Sequence, residues 1–265
     1  MRILKSLLPA AAAVAMIAGA AGTALAAGGE AGPCTPNHMK HVERHWSFQG
    51  VFGHYDHDSA LRGFEVYRNV CASCHSLDLF AFRNLSALGA TEAEIKGVAA
   101  LYEVPGEPDD VGDVNPRPAL PSDRFPAPFP NEKAAAASNG GAIPPDLSLI
   151  VKAREEFENH VANIMTGYSD PPAGCEIPEG KYYNAHFPGY AIGMAPPLSE
   201  GIVEYGDGTP ATVEQMIVDV TQFLAFVSEP KLEERKQLGV KVVLFLALFT
   251  VLLYLVKRQV WRKIH

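Results

Sequence analysis

Cys71-Ala72-Ser73-Cys74-His75 sets two thiols three residues apart and an imidazole directly after the second. A cysteine pair at that spacing serves three chemistries. Zinc needs a second ligand pair at matching distance, which neither Cys34 nor Cys175, the other two cysteines, provides. A dithiol redox motif expects a strand before it, whereas Leu61, Phe64, Tyr67 and Val70 recur at helical spacing and run straight into Cys71. The third chemistry needs nothing more locally. Two thiols add across both vinyl groups of one porphyrin and the next residue lies under the iron, which is the c-type haem attachment pattern. The motif therefore assigns one covalent haem c to Cys71 and Cys74, with His75 as the proximal iron ligand.

A c-type iron used for electron transfer is gripped on its other face by a thioether or imidazole from far along the chain. Met39 falls in an arm before the first helix, and Met165 and Met216 lie on apolar helix faces, where packing explains them. Met194 differs. It stands in Ile192-Gly193-Met194-Ala195-Pro196-Pro197, an irregular loop with no apolar stripe to join, where Gly193 permits close backbone approach and the prolines add stiffness. His186 shares that region and His160 lies on a helix, so both compete with Met194 on residue type alone.

The chain around these residues reads as an exported, anchored protein. Arg2 and Lys5 precede an apolar run that ends in Ala24-Leu25-Ala26, the pattern of a cleaved secretory signal over residues 1–26. A second apolar run, 238–256, holds one charge, Lys241, near its start and is the transmembrane candidate. Lys257, Arg258, Arg262 and Lys263 follow it in a basic tail, 257–265, which assigns the carboxyl end to the cytoplasm by the positive-inside rule. Residues 27–228 then form a periplasmic domain, joined to the span by a charged connector, 229–237. That domain holds 27 acidic against 12 basic side chains, a balance of −15 beside −8 for the whole chain. It is a poor surface for nucleic acid and an attractive one for a cationic protein.

Periodicity and punctuation place the elements. A helix is expected over 59–70, delivering the cysteines; another from Thr91, with Glu94 completing a capping box, to Leu101. Eight prolines between Glu103 and Pro130 exclude a continuous helix or central strand and read as an extended insertion. Asn131 caps a short helix over 132–138, Pro144-Pro145-Asp146 opens a segment at Leu147, and a longer helix is expected from Ala153 to Thr166. Residues 168–210 read as loops. Thr212 with Gln215 forms a second capping box before an apolar stripe from Val213 to Val227.

These stretches also resemble a known family. Trp46-Ser47-Phe48-Gln49-Gly50-Val51-Phe52-Gly53, Arg62-Gly63-Phe64-Glu65-Val66-Tyr67 and Cys71-Ala72-Ser73-Cys74-His75-Ser76-Leu77 are similar to cytochrome c1, the haem subunit of quinol:cytochrome c oxidoreductase. So are Arg83-Asn84-Leu85, Arg117-Pro118, Phe129-Pro130-Asn131, Pro144-Pro145-Asp146-Leu147-Ser148 and the run from Phe187 to Leu198. The resemblance implies His75 and Met194 as axial ligands and places Arg117 near a haem propionate, where a guanidinium fork suits a carboxylate. It also implies three partners: a cytochrome b subunit, a Rieske iron-sulfur protein as donor and a soluble c-type cytochrome as acceptor.

The expected fold is mainly α, a class I cytochrome c-like core with long loop insertions and one C-terminal transmembrane helix in membrane lipid. The expected location is the inner membrane of a bacterium. Electron transfer at such a site breaks no substrate bond, so enzymatic turnover belongs to the complex and not to the isolated chain. Cys34 and Cys175 remain, and an oxidising compartment favours a disulfide between them, which the resemblance does not settle. A haem enzyme such as a peroxidase would need an open or displaceable sixth position and usually a second haem for electron supply, and a single attachment motif is present. A membrane-tethered carrier feeding a terminal oxidase is the alternative reading; copurification of a cytochrome b separates the two.

Overall fold

Helix α1 (His57–Asn69) starts where Asp56 can cap it, its carboxylate accepting the Ser59 N–H at 3.0 Å. The computed structural model describes residues 33–35 and 42–262; the expected signal segment 1–26, Met39 and Lys263 lie outside them. The Thr91–Glu94 capping box forms in full and opens α2 (Glu92–Ala99). Asn131 caps α3 (Glu132–Ser138) by accepting the Ala134 N–H at 3.0 Å.

The proline-rich insertion contains pairing that its composition concealed. β1 (Glu103–Pro108) and β2 (Val114–Pro118) form an antiparallel ribbon with Pro105 opposite Pro116. A two-stranded ribbon consists only of edges, so a residue without an N–H is tolerated there as it would not be in a sheet interior. The acids Glu103, Glu107, Asp109, Asp110 and Asp113 lie along this hairpin.

The helix expected from Ala153 begins only at Glu158, as α4 (Glu158–Thr166). Residues 148–157 turn instead, and Phe157 takes φ 50°, a left-handed backbone that an α-helix cannot continue through. In the next region β3 (Tyr182–Tyr183) pairs with β4 (Ala191–Ile192), a minimal hairpin in what composition read as loop.

The core forms where α1 crosses α5 (Val213–Ser228). At Gly63 the two backbones meet: a Cβ there would collide with the Asp219 carbonyl and come within 2.7 Å of the Phe223 Cβ. Phe64, Tyr67, Phe80, Phe82, Phe125 and Phe223 fill the space beside the crossing, with the Phe82 and Phe125 ring centres 4.0 Å apart. The crossing also buries a charge. Asp219, 0% exposed, accepts from Ser59 Oγ at 2.6 Å, Arg62 Nε at 3.0 Å and Nη2 at 3.1 Å, and Gln215 Nε2 at 3.0 Å. That demand explains the second cap: Thr212 accepts the Gln215 N–H at 3.1 Å as expected, but the Gln215 amide runs forward to Asp219 instead of closing a box.

After Pro230 the charged connector is already helical, being the first turns of α6 (Leu232–Trp261). At 30 residues this helix is about 45 Å long, more than the ~30 Å hydrocarbon core of a bilayer. It is exposed at every described position from Lys241 onward. The architecture is thus mainly helical with one C-terminal helix long and apolar enough to span a membrane.

Candidate functional site

Helix α1 ends at Val70, and the chain tightens into a 3₁₀ turn over Cys71–Ser73. The Cys74 and His75 N–H groups both donate to the Cys71 carbonyl, at 3.1 and 2.9 Å, and Ser73 Oγ closes back on the Val70 carbonyl at 2.8 Å. Residues three apart eclipse in such a turn, so the two thiols share one side of it. Both are free thiols, whereas Cys34 and Cys175 are joined by a disulfide with Cα atoms 4.6 Å apart. Burial, with Cys74 alongside, pushes the Cys71 thiol up to about 12 and keeps it protonated.

His75 is oriented by a segment seventy residues away. Its Nδ1 lies 2.8 Å from the Pro145 carbonyl oxygen. A carbonyl can only accept, so Nδ1 carries the proton and Nε2 keeps its lone pair for a metal. Burial lowers the imidazole pKa, outweighing the hydrogen bond to Pro145 and the charge of Asp146, and favours the neutral ring that coordinates.

The two segments are zipped on either side of this bond. Leu147 N–H donates to the Ser76 carbonyl at 2.9 Å, and Leu79 N–H to Ser148 Oγ at 3.0 Å. Asp146 Oδ2 accepts from Ser76 Oγ and Asp78 N–H, each at 2.8 Å, and Oδ1 from Ser148 N–H at 2.9 Å. Tyr67 completes the seat by donating its buried hydroxyl to the His75 carbonyl at 3.1 Å.

Met194 sits beyond β4, outside the hydrophobic core that claims Met165 and Met216. Tyr168 fixes its backbone, donating to the Met194 carbonyl at 3.0 Å. The preceding residue, Gly193, packs so closely on the α3–Pro145 connection that a Cβ would lie 2.8 Å from the Ala142 Cβ. Ala142 and Pro145 are three residues apart, at most about 11 Å of extended chain. One short segment therefore touches both the His75 ring and the Met194 loop. His186, buried, donates its backbone N–H to Asn184 Oδ1 at 3.0 Å, and His160 lies in α4.

Arg117 forms an ion pair. Its guanidinium grips Asp123 with bonds of 2.6 and 3.1 Å and also donates to the Pro118 carbonyl at 3.0 Å, all within its own insertion. The pair ties β2 to the turn that follows it. Composition analysis missed Tyr168 and the zip formed by Ser76, Asp146 and Ser148. A Pro-Asp-x-Ser stretch signals a local Asx turn, which the Ser148 N–H to Asp146 bond forms, but the partner segment at 75–79 carries no local signal.

Asp146→Asn should loosen this zip. Burial acts to raise the Asp146 pKa, but hydrogen bonds from Asp78, Ser76 and Ser148 outweigh it and hold the carboxyl below the usual range. The stability it contributes is therefore full above about pH 4, the unfolded value, and is lost as pH falls through the lower folded value. An amide can present only one acceptor to this set of donors, a loss of about 1–3 kcal/mol. Melting curves of parent and variant should differ clearly at pH 7 and converge at strongly acidic pH; equal melting at pH 7 would show that the zip is dispensable.

Comparison with known proteins agrees with this geometry. A sequence model of the Cytochrome C1 family matches residues 46–264. Cytochrome c1 of Rhodospirillum rubrum is 46% identical over 261 residues, 92% of this chain and 96% of its own. The heme protein cytochrome c1 of Saccharomyces cerevisiae is 49% identical over 217 residues, 82% of this chain and 70% of its own. Cytochrome b/c1 of Bradyrhizobium diazoefficiens is 47% identical over 242 residues, 83% of this chain and 35% of that longer protein. With the free thiol pair, the neutral imidazole and the apolar C-terminal helix already in place, the chain belongs to the cytochrome c1 family of haem electron carriers.

Proposed function

We propose that Cys71 and Cys74 hold one haem c covalently, that His75 and Met194 are its axial ligands, and that the chain relays electrons from a Rieske iron-sulfur protein to a soluble c-type cytochrome. The observation that carries this is the Pro145 carbonyl on His75 Nδ1, which leaves Nε2 free to ligate. When bound, the haem supplies one-electron chemistry at its iron. The protein's residues do the rest. The 3₁₀ turn offers both thiols to one edge, the 145–148 zip fixes the imidazole plane, and Tyr168 with the Gly193–Ala142 contact positions the thioether. Neither axial group is asked to take up a proton.

The cytochrome b/c1 relative supports a cytochrome b neighbour in the membrane. The basic residues after the span support a cytoplasmic carboxyl end and a periplasmic haem domain. Met194→Leu tests the ligand set. The haem should stay covalently bound, because both thiols remain. Its midpoint potential should fall by an amount on the order of a few hundred millivolts, within the ~0.8 V range that axial ligation spans, and carbon monoxide should gain access. A redox titration that matches the parent would assign the sixth position to another residue, with His186 the first to be tried.

A further inference from the structure

The loop that leads from Trp46 to α1 is closed at its base and bare at its tip. Gln49 N–H donates to the Trp46 carbonyl at 3.0 Å and His54 N–H to the Ser47 carbonyl at 3.1 Å. Between them Val51 and Phe52 are 63% and 84% exposed. Scattered exposed apolar residues are ordinary, so exposure alone decides nothing. What singles out this pair is where the loop is tied. Lys236 Nζ, in the second turn of α6, donates to the Phe48 carbonyl at 2.5 Å and the Gly53 carbonyl at 3.0 Å. Just above, Glu233 accepts the Tyr55 N–H at 2.8 Å.

On α6, Leu232, Glu233, Lys236 and Val240 are shielded, whereas the other positions between them and all described ones beyond are exposed. Positions 232, 236 and 240 share one helix face. Val240 lies about 6 Å further along the axis than Lys236 and already inside the apolar run that begins at Leu238. The globular body thus reaches α6 at the level where the helix enters hydrocarbon, and the loop held by Lys236 is the element bound there. From this we propose that the Val51–Phe52 tip is a second membrane contact, seated in the headgroup and upper acyl region of the bilayer beside α6. An aromatic side chain next to a cationic anchor suits that layer. No charged side chain lies between Trp46 and His54, in contrast to Val111, equally exposed but set among Asp109, Asp110 and Asp113. Two contacts, a helix and a loop on one of its faces, would also limit rotation of the domain about the α6 axis.

The proposal rests on α6 as a membrane span, so the test carries a control for that. The haem-loaded full chain should offer no reactive thiol, with Cys71 and Cys74 taken by haem and Cys34 bridged to Cys175; the parent must take up no label. Phe52→Cys, Val111→Cys and Phe249→Cys are each nitroxide-labelled and reconstituted in phosphatidylcholine–phosphatidylglycerol vesicles. Collision rates are then measured with oxygen, which partitions into lipid, and with a water-soluble nickel chelate. The ratio of oxygen to nickel collisions should be several-fold higher at 52 than at 111, and lower than at 249. A ratio at 52 equal to that at 111, with 249 still reading lipid, overturns the proposal. Water-like values at 249 overturn the span and the proposal with it. A label at 52 that loses both reagents only when other subunits of a complex are added means a protein covers the tip, and also overturns it. Val51→Cys repeats the measurement should Phe52→Cys not fold.

Discussion

Cys71→Ala and Cys74→Ala should each remove the haem-staining band of this chain from denaturing gels. The stain survives only where haem is bonded to protein, because unfolding separates His75 from Met194 and abolishes any grip that depends on both. Two thiols stand in a turn in which both face the same way, so on the proposed attachment each would contribute one of two thioether links. The remaining cysteines cannot substitute, being joined to each other. Loss should be essentially complete in the double variant and nearly so in each single one, where at most one thioether can form. Normal staining in the double variant would move the attachment to other residues and leave the CxxCH stretch without a chemistry.

Gly63→Ala should strongly destabilise the α1–α5 crossing. The added carbon meets the Asp219 carbonyl of α5 and the Phe223 Cβ, neither of which is the movable end of a flexible side chain. Relief requires separating α1 from α5, which would loosen the Ser59 and Arg62 bonds to the buried Asp219 carboxylate and open the Phe64–Phe223 contact. Overpacking of a tight core typically costs 1–3 kcal/mol, and backbone against backbone puts this site at about 3 kcal/mol or beyond. For a domain of this size that lowers the melting temperature by roughly 6–12 °C. Gly97→Ala, in the interior of α2 with no atom near the added carbon, should instead be neutral or stabilising by about 0.5–1 kcal/mol. Equal melting of the two variants would mean that α1 and α5 can separate freely at their crossing.

The consequence of a failed crossing would reach the site. α1 carries Cys71 at its end and Tyr67 one turn earlier, and Tyr67 holds the His75 carbonyl. Haem uptake by Gly63→Ala should therefore fall together with its melting temperature, and the same samples can be read for both.

Local chemistry was legible in the residues themselves. The attachment motif, the Thr- and Asn-capped helix starts, the apolar stripe of α5 and the apolar α6 are written over spans of a few to thirty residues, where a period or a cap acts on its own neighbours. Choosing Met194 over Met165 and Met216 drew on the same local signal, the absence of an apolar stripe. Phe157 shows the limit of that signal: the period from 153 to 166 was helical, yet a single left-handed residue moved the start to Glu158. The β1–β2 ribbon was hidden for a related reason, because proline density argues against strands unless both are edges. What only the tertiary structure decided is which distant groups meet. Pro145 on His75, Asp146 on Ser76, and Asp219 between Ser59 and Arg62 follow from donors and acceptors that must be satisfied once a surface is buried, and Ala142 against Gly193 follows from close packing. Sequence lists those groups but not their partners, since hydrogen bonds across seventy residues leave no period to read.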